Sequence, residues 1–210
     1  MRAIFLDRDG VIGENREDHV KSQEEFRFLP GALTALHLLR RAGFHTFVVT
    51  NQAIVNRGIT SSADVEAINR WMALQVTLHG GYIHDIRYCP HDTSDDCQCR
   101  KPRPGMLLHL AAKWHVDLSL SYIVGDAWTD IAAGRAVGCN AVLVRTGRGA
   151  DQLALPEPQH HVANHIAHDL TDAVTWIFQR EGLLLPYYDT TSRRTFALGL
   201  PAVGVLPQGG

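Results

Sequence analysis

The sequence predicts an α/β fold with a doubly wound parallel sheet and helices on both of its faces. Short, uninterrupted apolar runs alternate along the chain with segments of helical periodicity. Apolar runs of this kind are typical of strands buried on both faces of a parallel sheet, and their alternation with helices indicates crossover connections. A chain of 210 residues is long enough for one such domain with a sizeable core.

The predicted strands share a short apolar core and end at polar or glycine residues, where the chain turns. A strand over 3–6 reaches Asp7, and a strand over 44–49 reaches Thr50. The remaining three strands are predicted over 83–88, 121–124 and 140–144.

The predicted helices show apolar residues at intervals of three and four, with recognisable ends. Leucines recur from 33 onward and Gly43 is placed to end the first helix, while Ser61 or Ser62 is placed to cap the second. The predicted helices cover 32–43, the segment between Ser61 or Ser62 and Gly80, 106–114, 130–137 and 170–180.

Three polar clusters follow predicted strands, at residues 7–9, 50–52 and 125–126. In doubly wound sheets, ligands bind outside the carboxyl ends of the strands, where the strand order reverses. We therefore expect these clusters, although distant in sequence, to meet along one edge of the sheet.

The first and third clusters carry carboxylates suited to a hard cation. Asp7 and Asp9 stand at alternate positions after the first strand, and Asp126 follows a different strand. Carboxylates in that number, together with substrate phosphate, suit Mg²⁺. Taken alone, residues 7–10 could also be a solvated Asp-Gly turn.

Cys89, His91, Cys97 and Cys99 form a Cys-x-His-x5-Cys-x-Cys arrangement. Four such ligands can close a tetrahedron around Zn²⁺ without an open position, which predicts a structural role. The intervening residues 92–96 contain no apolar anchor, so the metal would supply the order of the loop. The alternative is a group of surface cysteines that happen to be near one another. Cys139 stands apart and is interpreted as a small buried hydrophobe.

Charge and composition exclude several classes of function. The formal net charge is -2, which does not suggest a nucleic-acid partner. No apolar run approaches the length of a membrane span, and the first residues lack the pattern of a signal peptide. We therefore expect a cytoplasmic enzyme without a membrane or nucleic-acid partner.

Four segments resemble, in order, the four motifs of the haloacid dehalogenase superfamily of phosphatases. Each lies in the secondary-structure context that this Rossmann-like fold requires. The segments are Phe-Leu-Asp-Arg-Asp-Gly-Val at 5–11, Val-Val-Thr-Asn at 48–51, Lys-Pro at 101–102 and Gly-Asp-Ala-Trp-Thr-Asp at 125–130. Only short connections separate them, so the fold is expected to have a minimal cap or none and to accept water at an open site.

The resemblance implies a role for each matching residue. Asp7 would be the nucleophile, and Asp9 would protonate the leaving oxygen and later activate water. Thr50 would donate to a phosphoryl oxygen and Lys101 would neutralise developing charge. Asp126 would hold Mg²⁺ with Asp7 and the backbone carbonyl of Asp9. Asp130 would support that site by orienting Asp126, Lys101 or a metal-bound water; a plain helix N-terminal acid is the alternative.

The zinc loop at 89–99, followed by Arg-Lys-Pro, resembles one subgroup of this superfamily. The subgroup contains the D-glycero-D-manno-heptose 1,7-bisphosphate 7-phosphatases and the related histidinol-phosphate phosphatases. The resemblance implies removal of the phosphate on carbon 7, with histidinol phosphate or another small sugar phosphate as the alternative substrate. Asn51, Arg57 and Arg100, with Lys101, would contact the substrate.

Two segments depart from the subgroup's usual sequence. Residues 53–55 read Ala-Ile-Val where Ser-Gly-Ile is usual, and the loop 13–20 differs and is a residue longer. Because that loop normally helps to select the substrate, the sequence supports the phosphatase reaction better than it supports the identity of the sugar substrate. A noncatalytic, zinc-stabilised phosphate-binding domain is the alternative of another class.

We expect residues 1–182 to form a single domain, with 183–210 as an extension of unknown role. We expect a monomer; a dimer formed through the extension is the alternative. His160, His161, His165 and His168 are predicted to be a solvated cluster beside a helix, since their spacing fits no clear ligand set.

Overall fold

The computed structural model describes residues 1–155 and 162–183, and these contain one six-stranded sheet. The strands stand in the order β3-β2-β1-β4-β5-β6, and every neighbouring pair is parallel. Their bounds are β1 Ala3–Leu6, β2 His45–Asn51, β3 Asp85–Cys89, β4 Tyr122–Gly125, β5 Asn140–Val144 and β6 His165–Ala167. The predicted doubly wound sheet is confirmed, with the reversal of strand order between β1 and β4.

Helices connect the strands, and two of the α-helices begin at a side-chain cap. The bounds of the α-helices are α1 Ala32–Arg41, α2 Ser62–Leu78, α3 Gly105–Trp114, α4 Trp128–Arg135, α5 Gly149–Ala154 and α6 Leu170–Arg180. Ser61 caps α2 in a reciprocal pair with Asp64, as one of the two predicted caps. Asp169 caps α6 by accepting the N–H of Asp172.

Apolar side chains of the central strand β1 contribute to two hydrophobic cores, one on each face of the sheet. Ile4 and Leu6 belong to the core that includes residues of α1, α2 and α6, whereas Ala3 and Phe5 belong to the core that includes residues of α3 and α4. All four side chains are fully buried. Since burying a side chain the size of Phe5 stabilises a fold by about 2–3 kcal/mol, β1 is held firmly in the middle of the sheet.

Besides two single-turn 3-10 helices at 93–95 and 118–120, the structure contains one α-helix and one strand that the sequence did not predict, α5 and β6. Strand β6 has three residues and α5 has six, which is too short for either periodicity to become visible. Helix α4 also begins two residues earlier than predicted. The reason is that the carboxylate of Asp130 accepts the N–H of Ala127 at 3.0 Å and so completes the first turn.

Two predictions concern the C-terminal part of the chain. His160, His161 and residues 184–210 lie outside the described residues, so the domain boundary at 182 and the role of the extension stay predictions. His165 lies in β6 with its ring stacked on Trp176 at a centroid distance of 4.9 Å.

Among the described residues, no helix combines the length and the apolar character needed to cross a membrane.

Candidate active site and metal centres

The three predicted polar clusters meet at the carboxyl ends of adjacent strands. Asp7 directly follows β1, Thr50 lies at the end of β2, and Asp126 directly follows β4. Because β1 pairs with β2 on one side and β4 on the other, the sheet brings these three side chains together. The site therefore lies at the switch point of the sheet, where doubly wound folds bind ligands.

Lys101 lies at the centre of this site and is nearly completely buried. Its Nζ is 3.1 Å from Oδ1 of Asp7 and 2.5 Å from Oδ1 of Asp130, and it donates to the carbonyl of Val49 at 2.7 Å. The neighbouring Asp130 and Asp7 carboxylates hold the pKa of Lys101 above its usual value, against the opposing effect of burial. The lysine is therefore a fixed positive charge beside the predicted nucleophile.

Asp7, Asp126 and Asp130 form a buried trio of carboxylates. One oxygen from each lies within 4.8 Å of the others. Burial raises the pKa of all three, and the pKa of Asp7 reaches about 6, with Lys101 acting in the opposite direction. Three buried acids at this spacing, with hard oxygen donors, fit a divalent cation such as Mg²⁺ because it would offset their mutual repulsion.

Gly10 allows the turn after β1 to pack against Asp126. Its φ angle is 86°, in the left-handed region, and a Cβ at this position would overlap the carboxylate of Asp126. The turn is also held by Thr146, whose hydroxyl donates to the carbonyl of Gly10 at 2.6 Å. The close approach of two strand ends thus requires glycine at position 10.

The side chain of Asp9 does not join the trio. It accepts two hydrogen bonds from Arg8 and one from Gln52, whose Nε2 lies 2.8 Å from Oδ2 of Asp9. The same nitrogen lies 2.9 Å from Oγ1 of Thr50. Any metal ligand from Asp9 would therefore be its backbone carbonyl, the atom that the sequence resemblance implied.

Arg148 is a residue of the site that the sequence did not reveal. Its backbone N–H donates to Oδ2 of Asp126 at 2.9 Å, and its guanidinium donates to Oδ1 at 3.0 Å. One feature of the sequence could have indicated this role: Arg148 lies four residues after the end of β5. Such positions become informative once the neighbouring strand is known to end at the site.

Cys89, His91, Cys97 and Cys99 lie together, as predicted. Their ligand atoms lie within 4.8 Å of one another, and the sulfur–sulfur distances run from 3.2 to 3.5 Å. Zinc–sulfur bonds of tetrahedral sites would place sulfurs about 3.8 Å apart, so a small expansion would admit the ion. The donor set therefore fits a closed Zn²⁺ site.

Arginines tie the zinc loop to its surroundings. The guanidinium of Arg100 donates to the carbonyl of His91 at 3.0 Å, and that of Arg103 donates to the carbonyl of Cys97 at 2.7 Å. Arg57, in the segment after β2, forms two hydrogen bonds of 2.6 and 2.9 Å with Asp92. Two of the predicted substrate contacts, Arg57 and Arg100, are thus also contacts within the protein.

A cleft of about 660 Å³ opens above the strand ends. Asp7, Thr50 and Lys101 lie at its floor, and Asn51, Arg57 and Arg100 are among the residues that line it. Asn15, Arg16, Glu17 and His19, from the loop that departs from the usual sequence, line it as well. The divergent loop therefore lies where it can contact a substrate.

Comparison with known proteins identifies the class to which this fold and site belong. A family model described as HAD-hydrolase-like matches residues 98–173. A crystal structure of D,D-heptose 1,7-bisphosphate phosphatase from B. bronchiseptica, complexed with magnesium and phosphate, superposes with a TM-score of 0.79. It is 36% identical and the match covers 86% of this chain and 99% of that one. The fold and site are those of a HAD-like phosphatase, a hydrolase of phosphomonoesters.

Curated relatives define the family more narrowly. A D-glycero-beta-D-manno-heptose-1,7-bisphosphate 7-phosphatase from Pseudomonas aeruginosa is 41% identical over 74% of this chain and 88% of its own length. The enzyme of the same name from Escherichia coli is 38% identical over 70% of this chain and 80% of its own length. The chain belongs to the family of D-glycero-beta-D-manno-heptose-1,7-bisphosphate 7-phosphatases, and the resemblance read from its motifs is confirmed.

Proposed function

We propose that this phosphatase removes the phosphate on carbon 7 of D-glycero-beta-D-manno-heptose 1,7-bisphosphate and retains the anomeric phosphate. The observation that carries the proposal is the convergence of Asp7, Thr50, Lys101 and Asp126 at one switch point, in a chain whose relatives bear that activity in their names. The noncatalytic alternative is disfavoured because a binding domain needs no buried nucleophile. Mg²⁺ and Zn²⁺ are the proposed cofactors.

In the first step, a carboxylate oxygen of Asp7 would attack phosphorus, and the bond from phosphorus to the sugar oxygen would break. The Asp7 carboxylate is held in place for this attack, since its Oδ1 accepts the N–H of Arg8 at 2.7 Å and lies beside Lys101. Asp9 would give its proton to the leaving sugar oxygen. Water would then attack the phosphorus of the phospho-aspartate while Asp9 accepts a proton from it; the bond from phosphorus to the Asp7 oxygen would break, which restores the Asp7 carboxylate and releases inorganic phosphate.

Thr50 and Lys101 would bind the phosphoryl oxygens during transfer. The hydroxyl of Thr50 accepts a hydrogen bond from Gln52, which leaves its own hydrogen free to donate into the cleft. The ammonium of Lys101 would balance negative charge that develops on the same group. Asp130 would keep this ammonium in position, since the two groups are 2.5 Å apart.

The metal ions would have separate tasks. Asp7, Asp126 and the backbone carbonyl of Asp9 would hold Mg²⁺, which supplies charge neutralisation for the phosphoryl group when bound. Cys89, His91, Cys97 and Cys99 would hold Zn²⁺ as a structural ion. Because Lys101 follows Cys99 by two residues, an ordered zinc loop would help to fix the lysine.

The retained phosphate would bind at the cationic wall of the cleft. Arg100 lines the cleft, and its guanidinium makes one hydrogen bond within the described residues, to the carbonyl of His91, so it keeps donors for a phosphate. Asn51 pairs with the backbone of Lys101 and Arg57 pairs with Asp92, so we propose that these two residues act on the substrate mainly through those partners.

Phosphate release from a panel of substrates tests the proposal. The panel contains both anomers of heptose 1,7-bisphosphate, fructose 1,6-bisphosphate and histidinol phosphate, each assayed with Mg²⁺. We expect the highest kcat/KM for the beta anomer, with one phosphate released per molecule. Much faster turnover of histidinol phosphate would overturn the heptose assignment. The variant Asp7→Asn should be inactive with unchanged zinc content, and substantial activity in it would rule out the phospho-aspartate route.

A further inference from the structure

Arg8 is one of the largest fully buried side chains in the described part of the chain, yet the proposed chemistry assigns it no task. It stands between the nucleophile Asp7 and the proton donor Asp9. A guanidinium removed from water is strongly destabilising unless a counter-charge and hydrogen bonds compensate it. The partners of Arg8 therefore indicate why the arginine is there.

The counter-charge of Arg8 is Asp9. The Nε of Arg8 donates to Oδ1 of Asp9 at 3.0 Å, and its Nη2 donates to Oδ2 at 2.8 Å. This two-point fork defines the plane of the carboxylate as well as its distance. About one fifth of the Asp9 side chain remains exposed, at 21%, and it faces the cleft that holds Asp7 and Thr50.

Two further side chains hold this pair in place. Asn69, a buried residue of α2, accepts from Nη1 of Arg8 at 3.2 Å, which anchors the guanidinium on its far side. Gln52 donates to Oδ2 of Asp9 at 2.8 Å, from the loop after β2. Donors from two separate segments therefore converge on one carboxylate, and α2 holds one of them, Arg8, through Asn69.

We propose that Arg8 is a positioning residue for proton transfer, acting through Asp9. This inference rests on the proposed function, in which Asp9 gives its proton to the leaving oxygen. As that proton departs, Asp9 becomes a carboxylate, and the fork of Arg8 together with Gln52 stabilises the new charge where it forms. The same carboxylate then stays aimed into the cleft to accept a proton from the attacking water.

The chemistry of the leaving group provides the test. A sugar or alkyl oxygen is a poor leaving group and needs protonation, whereas 4-nitrophenolate leaves readily without it. The substitution Arg8→Lys keeps a positive charge but loses the fork. In single-turnover experiments that follow release of the leaving group, we expect the rate of the first step on the sugar bisphosphate to fall by about 100-fold, within the usual range for general acid catalysis. On 4-nitrophenyl phosphate the same variant should release 4-nitrophenolate less than about 10-fold more slowly, because this leaving group needs little protonation.

Asp9→Asn serves as the reference variant and separates the two hypotheses. Its rate of leaving-group release in a single turnover should fall far more on the sugar bisphosphate than on 4-nitrophenyl phosphate. If Asp9→Asn shows no such difference, Asp9 is not the proton donor and the proposed mechanism fails. If Asp9→Asn shows the difference but Arg8→Lys loses both activities equally, the proposed mechanism stands and the positioning role of Arg8 is overturned.

Asn69→Leu covers the case in which Arg8→Lys does not fold, as judged by circular dichroism and zinc content. This variant removes the anchor of the guanidinium and leaves every donor to Asp9 in the chain. We expect a loss of the same kind, about five-fold larger on the sugar bisphosphate than on the aryl ester, since one hydrogen bond is removed. Equal losses on the two substrates would overturn the proposal.

Discussion

Asn51 and Lys101 are joined by two hydrogen bonds that run in opposite directions. The Nδ2 of Asn51 donates to the carbonyl of Lys101 at 3.0 Å, and its Oδ1 accepts the N–H of Lys101 at 3.1 Å. The end of β2 thereby holds the backbone that carries the lysine, although 50 positions separate the two residues. The amide of Asn51 therefore sets the position of Lys101 relative to Asp7.

Replacing Asn51 by alanine should lower kcat more than it raises KM. Both hydrogen bonds to Lys101 are lost, so its ammonium is placed less accurately beside Asp7, and we expect kcat to fall by about 10- to 100-fold. Steady-state kinetics on the sugar bisphosphate measure the effect. Asn140→Ala, at the opposite end of the sheet, is the matched control and should keep full activity. A change confined to KM would instead indicate a direct substrate contact of Asn51.

Asp130→Asn should destabilise the protein as well as inactivate it. The amide can still accept the N–H of Ala127, but Lys101 loses one of its two buried counter-charges. Removing one partner of a buried ion pair lowers the free energy of unfolding by about 3–5 kcal/mol, but Asp7 remains beside Lys101 and the repulsion among the three carboxylates is relieved, so we expect a loss of about 1–3 kcal/mol. Urea denaturation followed by circular dichroism checks this value. A loss below about 1 kcal/mol would show that Asp7 alone compensates the lysine.

Cys97→Ser should abolish zinc binding and reduce activity together. The substitution removes one of four clustered ligands, so the loop that leads to Lys101 should lose order. Metal analysis, the thermal midpoint and kcat are measured on the same preparation. Cys139→Ser is the matched control, because Cys139 lies buried in the core that includes residues of α3 and α4. The zinc content of this variant should stay unchanged. Full activity in a zinc-free protein would contradict the structural role.

The contribution of His84 to the stability of the protein should decrease as the pH falls below about 6.5. Burial, with His45 and Arg40 nearby, lowers the pKa of His84 in the folded state, and its Nδ1 accepts the N–H of Thr46 at 3.1 Å. A pKa lowered by folding contributes stability above the unfolded pKa, and this stability is lost as the pH falls.

The variant His84→Asn isolates this contribution, since its amide oxygen can accept the same N–H but does not titrate. We expect the free energy of unfolding of the wild type to fall, relative to that of the variant, between pH 7.5 and 5.5. Denaturant titrations at the two pH values make the comparison. Parallel pH dependences would exclude His84 as the responsible group.

Three of the site residues that the sequence predicted sit at the ends of visible strands, whereas Lys101 was predicted from the motif that it belongs to. Asp7, Thr50 and Asp126 follow apolar runs, so their convergence follows from the order of a parallel sheet. The burial of Arg8 could not be predicted in this way, because one of its hydrogen-bond partners is Asn69, which lies 61 positions away on another element. Arg148 likewise depends on Asp126, a contact between two loops that no local pattern records.

Short elements and side-chain choices account for the remaining differences. Strand β6 forms because β5 offers it an edge, and three residues carry no readable alternation. The sequence suggested Arg57 as a substrate contact because arginine suits phosphate, but it could not reveal that Asp92 lies within reach of the same guanidinium. Sequence patterns therefore predict which residues lie at a site more readily than they predict the hydrogen-bond partners of those residues.

The order of the strands has a consequence for the making of the enzyme. Strand β1 carries the nucleophile and is synthesised first, yet one of its two neighbours, β4, begins only at Tyr122. Until the ribosome has passed that point, β1 has an open edge and the carboxylate of Asp126 does not yet exist. A chain interrupted before residue 126 would therefore carry the nucleophile but lack Asp126, one of the carboxylates that the site requires.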